Sequence, residues 1–142
     1  ILVATDFSSA AFNAAKYAVE MASAIHADIL LFHVYQIPVI YSEVPIAVDQ
    51  NEMMKNIEKD IVKLKEDLTV LSKDNVKIQT DVKMGVFFHE LKLTCEQLKP
   101  YCVIMGSQGT TAAERILFGS HTVFAMKHLM WPIITVPTDA KF

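Results

Sequence analysis

Three of the four glycines in this chain, Gly106, Gly109 and Gly119, fall in one segment with the spacing G-x2-G-x9-G, directly after the apolar run Tyr101–Met105. In a sequence otherwise poor in glycine, such clustering marks backbone that must turn sharply or let another group come close. Gly106 and Gly109 can present successive backbone N–H groups, and Gly119-Ser120 opens a helix whose first amides lack intrahelical partners. Amides arranged in this way bind anions, phosphate above all. The Ser120 hydroxyl can cap the helix or donate to a phosphate oxygen, and Arg115 brings a mobile positive charge into the same segment. The plainer alternative is a loop that only turns corners. No Gly-Lys-Ser/Thr follows the glycines, so this is not a Walker A loop, nor is the spacing the G-x-G-x-x-G of a dinucleotide turn.

Asp6 is the second residue with a chemical claim. Standing just before Phe7-Ser8-Ser9, it reads on its own as a capping residue or a partner of a helix dipole. Five histidines, His26, His33, His89, His121 and His128, invite a metal reading, but no pair has the i,i+4 spacing with an accompanying acid that zinc chemistry uses. His33 sits in an apolar run and is expected to be a hydrogen-bonded core residue. His89 and His121 start helices, yet neither is marked out as a general base. Cys95 and Cys102 are too few and too far from a C-x-x-C pattern for a disulfide framework or a metal site, and read as two buried thiols. Met53, Met54 and Met84 read as core or interface filler.

The elements that must position these residues follow from periodicity. Short β-branched runs at Ile1–Ala4, Ile29–Val34, Val76–Met84, Tyr101–Met105 and Ile133–Val136 alternate with amphipathic stretches. The first helix follows caps at Ser8 and Ser9 and carries Ala10, Ala14, Tyr17, Ala18, Met21 and Ile25 at helical spacing, small enough to approach a sheet closely. After a Pro38- and Pro45-containing loop, a long helix from Asp49 to about Ser72 shows one apolar face and one solvated charged face. Phe87–Leu98, seeded by Phe87-Phe88, and Ser120–Met130 complete the helices. The β-α alternation predicts an α/β fold with a parallel sheet, right-handed crossovers and helices on both faces. Ligands of such sheets sit beyond the carboxyl ends of the strands where strand order reverses. Both the Asp6 turn and the glycine segment lie at carboxyl ends.

Composition bounds the partners. A chain of 142 residues is the size of one domain. With 52% hydrophobic and 20% charged residues, and a mean hydropathy of +0.30, it carries more apolar surface than a small monomer readily hides, so an oligomer is expected. The net charge of -3 and the lack of Lys/Arg clusters interleaved with aromatics argue against nucleic acid as a partner. No run reaches the length of a membrane span and no signal peptide is recognisable, so no membrane partner and a cytoplasmic location are expected.

Taken together, Ile1-Leu2-Val3-Ala4-Thr5-Asp6-Phe7-Ser8, Leu31-Phe32-His33-Val34, and Val103-Ile104-Met105-Gly106-Ser107-Gln108-Gly109 with Gly119-Ser120 resemble the universal stress protein family over essentially the whole chain. The resemblance implies a five-stranded parallel sheet in the order 3-2-1-4-5, a Rossmann-like arrangement of the adenine nucleotide alpha hydrolase type. It also implies that a chain keeping G-x2-G-x9-G-(S/T) binds ATP, possible Mg²⁺ included. By the same resemblance, Thr5 and Asp6 lie beside the nucleotide and Val34 meets the adenine through its backbone. Gly106, Gly109, Gly119 and Ser120 surround the phosphates, with Ser107, Gln108 and Thr122 close by, and Met105 and Arg115 are also expected among the nucleotide-binding residues. Two positions depart from the family pattern: Ala4 stands where proline is common, which affects local stiffness, and Thr110 stands where a basic residue is frequent, which bears on phosphate affinity.

The expected function is that of a nucleotide-dependent regulatory module whose ATP occupancy alters its association or partner surface. The alternatives are a slow ATPase or phosphotransferase, for which no assembled catalytic set is visible, and a nucleotide-free dimeric scaffold. The last strand, Ile133–Val136 before Pro137, is expected at an edge that needs covering, and the resemblance implies pairing with its copy across a two-fold axis. Because Ile1 opens directly in a strand and Asp139-Ala140-Lys141-Phe142 has linker-like polarity, a second domain of a tandem protein is the alternative partner for that edge.

Overall fold

The computed structural model describes residues 1–37, 49–73, 75–107 and 120–142. Nine elements alternate along them: β1 (Leu2–Ala4), α1 (Ser9–Ile25), β2 (Ile29–Tyr35), α2 (Gln50–Leu71), β3 (Ile78–Met84), α3 (Phe87–Leu98), β4 (Val103–Gly106), α4 (Ser120–His128) and β5 (Ile133–Val136).

The strands form one parallel sheet in the order β3-β2-β1-β4-β5. Central β1 is flanked on both sides in matching register, with Ala4 opposite Phe32 of β2 and Met105 of β4. Side chains alternate across the pleat, so β1 feeds two cores. Val3 faces a cluster with Ala14, Ala18, Leu31, Leu64, Leu68 and Ile104, which places α1 and α2 on one face. Leu2 and Ala4 face Phe32, Leu91, Cys95, Val103 and Ala125, which places α3 and α4 on the other.

Local sequence explains most boundaries. The Ser8 hydroxyl accepts from the Ala11 amide at 3.2 Å and starts α1. The helix ends at His26, whose amide still donates to the Ala22 carbonyl and whose left-handed φ of 54° turns the chain so that the Ala27 amide reaches that carbonyl at 3.0 Å. Its alanines Ala10, Ala11, Ala14, Ala15, Ala18 and Ala22 are buried, the close approach to the sheet that their size permits. Asp49 caps α2 by accepting from the Asn51 and Glu52 amides.

Several expected boundaries shift: β1 starts at Leu2, not Ile1, and β2 runs on past Val34 to Tyr35. β3 starts at Ile78, not Val76, because its ladder begins opposite Ile29, the first residue of β2; Val76 is nevertheless buried. β4 starts at Val103, since Tyr101 is 72% exposed and lies outside the sheet. α4 stops at His128 before Pro132, whose ring disfavours a helical Trp131. Of the methionines expected as core or interface filler, Met84 lies outside the core: at the end of edge strand β3 it is 59% exposed. The segment after β5 folds back onto α1, where the Asn13 side-chain amide donates to the Pro137 and Ala140 carbonyls at 2.8 and 2.9 Å. No helix among the described residues is long and apolar enough to cross a membrane.

Candidate functional site

Strand order reverses between β1 and β4, since the chain runs outward through β2 and β3 on one side and through β4 and β5 on the other. The carboxyl ends of β1 and β4 therefore stand side by side at the reversal, the place where ligands of such sheets bind. Thr5, Asp6, Gly106, Ser107, Ser120 and Thr122 all lie at this end of the sheet, and the β1–β2 register brings Val34 to the same rim.

The turn from β1 into α1 is tied at successive residues. The Thr5 amide donates to the Phe32 carbonyl at 2.9 Å, extending the ladder by one rung. The Phe7 amide donates to Thr5 Oγ1 at 3.0 Å, and the Ser8 amide to Asp6 Oδ1 at 3.0 Å. Asp6 is exposed, so its carboxylate orders the turn while facing outward from it. The Asp6 side chain is thus a turn-former, and the N-cap proper is Ser8. The His33 imidazole on β2 reaches the Thr5 carbonyl through Nδ1 at 2.8 Å, and its ring lies 4.5 Å from that of Phe7. The hydrogen bond expected of His33 is present, but the residue is half-buried at the rim and not in the core, and its partner, a main-chain carbonyl, only the register could supply.

On the β4 side the residues divide their duties. A side chain at Gly106 would place its Cβ 3.0 Å from the Ala10 carbonyl carbon and 3.1 Å from the Ala11 amide nitrogen. The glycine therefore lets the first turn of α1 rest on β4, a packing reason beside the phosphate reading. The Ser107 amide donates to the Val136 carbonyl at 2.9 Å, continuing the β4–β5 ladder. The Thr122 hydroxyl donates to the Gly106 carbonyl at 3.1 Å and pins α4 to the strand end. Met105 is buried in the core shared with α3 and α4, so its side chain packs there. Half-buried Val34 packs against that same core. Ser120 is exposed at the first residue of α4. Gln108, Gly109, Thr110, Arg115 and Gly119 lie outside the described residues.

Sequence reasoning missed two features of this rim. Phe7 has a left-handed φ of 62°, which no sequence signal marks. Beside it a cleft of about 430 Å³ is walled by Phe7, Phe12 and Ser8 and by Asp60, Lys63 and Asp67 of α2, residues that read only as a solvated helix face. Both thiols are buried, as expected. Burial pushes the Cys95 thiol from its ordinary 9.0 to about 11, with the Glu96 carboxylate adding to the shift. Burial likewise raises Cys102, against a smaller opposing pull from the N-terminal ammonium. Among the described residues, no three His, Cys, Asp or Glu side chains converge as a metal site would need.

Comparison with known proteins agrees with this architecture. The family model for the universal stress protein family matches residues 1–137. A curated universal stress protein of Methanocaldococcus jannaschii is 28% identical over 143 residues, covering 99% of this chain and 83% of the relative. Among solved structures, universal stress protein UspA from Lactobacillus plantarum superposes with a TM-score of 0.72 at 19% identity, covering 95% of this chain and 94% of that one. A universal stress protein in complex with cAMP gives 0.68 at 22%, covering 97% and 96%. An Arabidopsis thaliana family protein with AMP bound gives 0.65 at 21%, covering 98% and 91%. With a family model spanning nearly its whole length and the sheet order of the fold in place, this chain belongs to the universal stress protein family.

Proposed function

We propose that this protein binds ATP, with Mg²⁺ on the polyphosphate, and that occupancy makes it a nucleotide-dependent regulatory module of a cytoplasmic stress response. The observation that carries the reading is the reversal of strand order between β1 and β4, at whose carboxyl ends the exposed Asp6, Val34 and Ser120, the first residue of α4, share one rim. Two structural neighbours are described with adenine nucleotides, cAMP in one and AMP in the other, which supports that ligand class. The residues present fit such a group unevenly. Thr5 and Asp6 would border the nucleotide, Val34 would meet the base, and Ser120 with Gly109, Arg115 and Gly119 would hold the phosphates. Ser107 and Thr122 are engaged by Val136 and Gly106 and act by shaping the rim.

Mass spectrometry of whatever leaves the denatured protein identifies a resident nucleotide directly. ATP at about a hundred times its Kd should add roughly 2.7 kcal/mol of stability, read as a melting shift that Gly109→Val abolishes. Absence of both signals refutes the proposal. Steady phosphate release lost in Asp6→Ala would replace a binding role with a hydrolytic one.

The regulatory output we assign to the β5 edge, which we propose pairs with a second copy or with another domain of the same chain. Light scattering that finds only monomers at high micromolar concentration, with and without ATP, would remove the homodimer arm.

A further inference from the structure

Among the described residues four non-glycine residues have positive φ: Phe7, His26, Lys73 and Lys99. Three of them close helices, where a left-handed residue is ordinary: His26 and Lys99 are the caps of α1 and α3, and Lys73 follows Ser72, the cap of α2. Phe7 is different. It precedes a helix, and an aromatic residue in the left-handed region persists only where its surroundings over-determine it.

Those surroundings converge on one side chain. Phe7 is held through its main chain by Thr5 Oγ1 at 3.0 Å and through its ring by the His33 imidazole at 4.5 Å. The same imidazole meets the Thr5 carbonyl at 2.8 Å. A carbonyl oxygen only accepts, so His33 Nδ1 carries the hydrogen and donates. In a regular parallel ladder the Thr5 carbonyl would be offered to the amide of Val34, two residues beyond Phe32. The imidazole meets that same carbonyl from the side chain of the preceding residue. One residue thereby grips both ends of the Thr5-Asp6-Phe7 turn.

We infer that His33 is a positioning residue, which by donating to the Thr5 carbonyl and packing against Phe7 holds the Asp6 turn in the shape that receives the ligand. The ligand part rests on the nucleotide reading above. A residue needed only for cohesion of the sheet would leave affinity unchanged once the protein is folded. A positioning residue would not.

The test uses titration calorimetry with Mg-ATP and with AMP on the full chain. His33→Phe keeps an aromatic ring and removes the donor, and should weaken binding roughly three- to tenfold, the equivalent of one net hydrogen bond. His33→Asn restores a short N–H donor and should recover part of that loss. Unchanged affinity in His33→Phe, or no recovery in His33→Asn, overturns the inference. If His33→Phe fails to fold, Phe7→Leu removes the ring contact from the other side and must weaken binding in the same sense. Nitrogen NMR of the ligand-free protein gives an independent reading: the His33 hydrogen should sit on Nδ1, and the Phe7 and Ser8 amides should exchange faster in His33→Phe. Wild type that binds neither nucleotide refutes the function proposed above, and the NMR readings then decide by themselves whether His33 holds the turn.

Discussion

Gly106 shows how one residue answers to two demands. Its position in a glycine-rich segment points to a phosphate, while its surroundings show the backbone of Ala10 and Ala11 where a Cβ would stand. Gly106→Ala should therefore cost about 1–3 kcal/mol by overpacking, measured as a lower urea midpoint in the absence of any nucleotide. Equal stability would show that helix packing does not require the glycine. Cys95 makes a second prediction at this scale. Its folded pKa of about 11 lies above its ordinary 9.0, so between those values the folded state holds the proton that the unfolded chain has shed. The contribution is complete below pH 9.0 and is lost as pH rises toward 11. Urea midpoints should fall across that window less steeply in Cys95→Ala than in wild type. At neutral pH the native thiol should resist alkylation that the unfolded chain undergoes readily.

Among the elements, α1 matters most to the site, because its first turn sits between the Asp6 turn and Gly106. Ser8→Ala removes the hydroxyl that accepts from the Ala11 amide and should cost ~1 kcal/mol. Amide exchange should show the loss concentrated in the first turn of α1, with β3 and α2 unaffected. The buried alanine face of the same helix was legible in sequence, since small residues at helical spacing have few other uses. The end of β4 was less so. Tyr101 carries the β-propensity of a strand residue but lies outside the sheet, because a strand's limits are set by where its neighbours pair.

At the scale of the molecule, the sheet separates two cores that share β1. Ile61 of α2 belongs to one and Leu91 of α3 to the other. Ile61→Val should cost about 0.5–1.5 kcal/mol and Leu91→Ala about 2–5 kcal/mol, and the double variant should equal their sum within ~0.5 kcal/mol. A larger coupling, found by denaturant unfolding, would mean that the sheet transmits repacking from one face to the other. Sequence by itself determined the number and order of elements, the helix cap at Ser8, the burial of the thiols and the family, because hydrophobic period, capping chemistry and a spaced motif are all local along the chain. Only the tertiary structure decided that His33 meets Thr5, that Phe7 is left-handed beside it, that Gly106 shelters α1 and that the Ser107 amide is taken by Val136. Those facts depend on which residues the strand register sets side by side although they stand far apart along the chain, and register comes from packing the whole sheet, a property no local window contains.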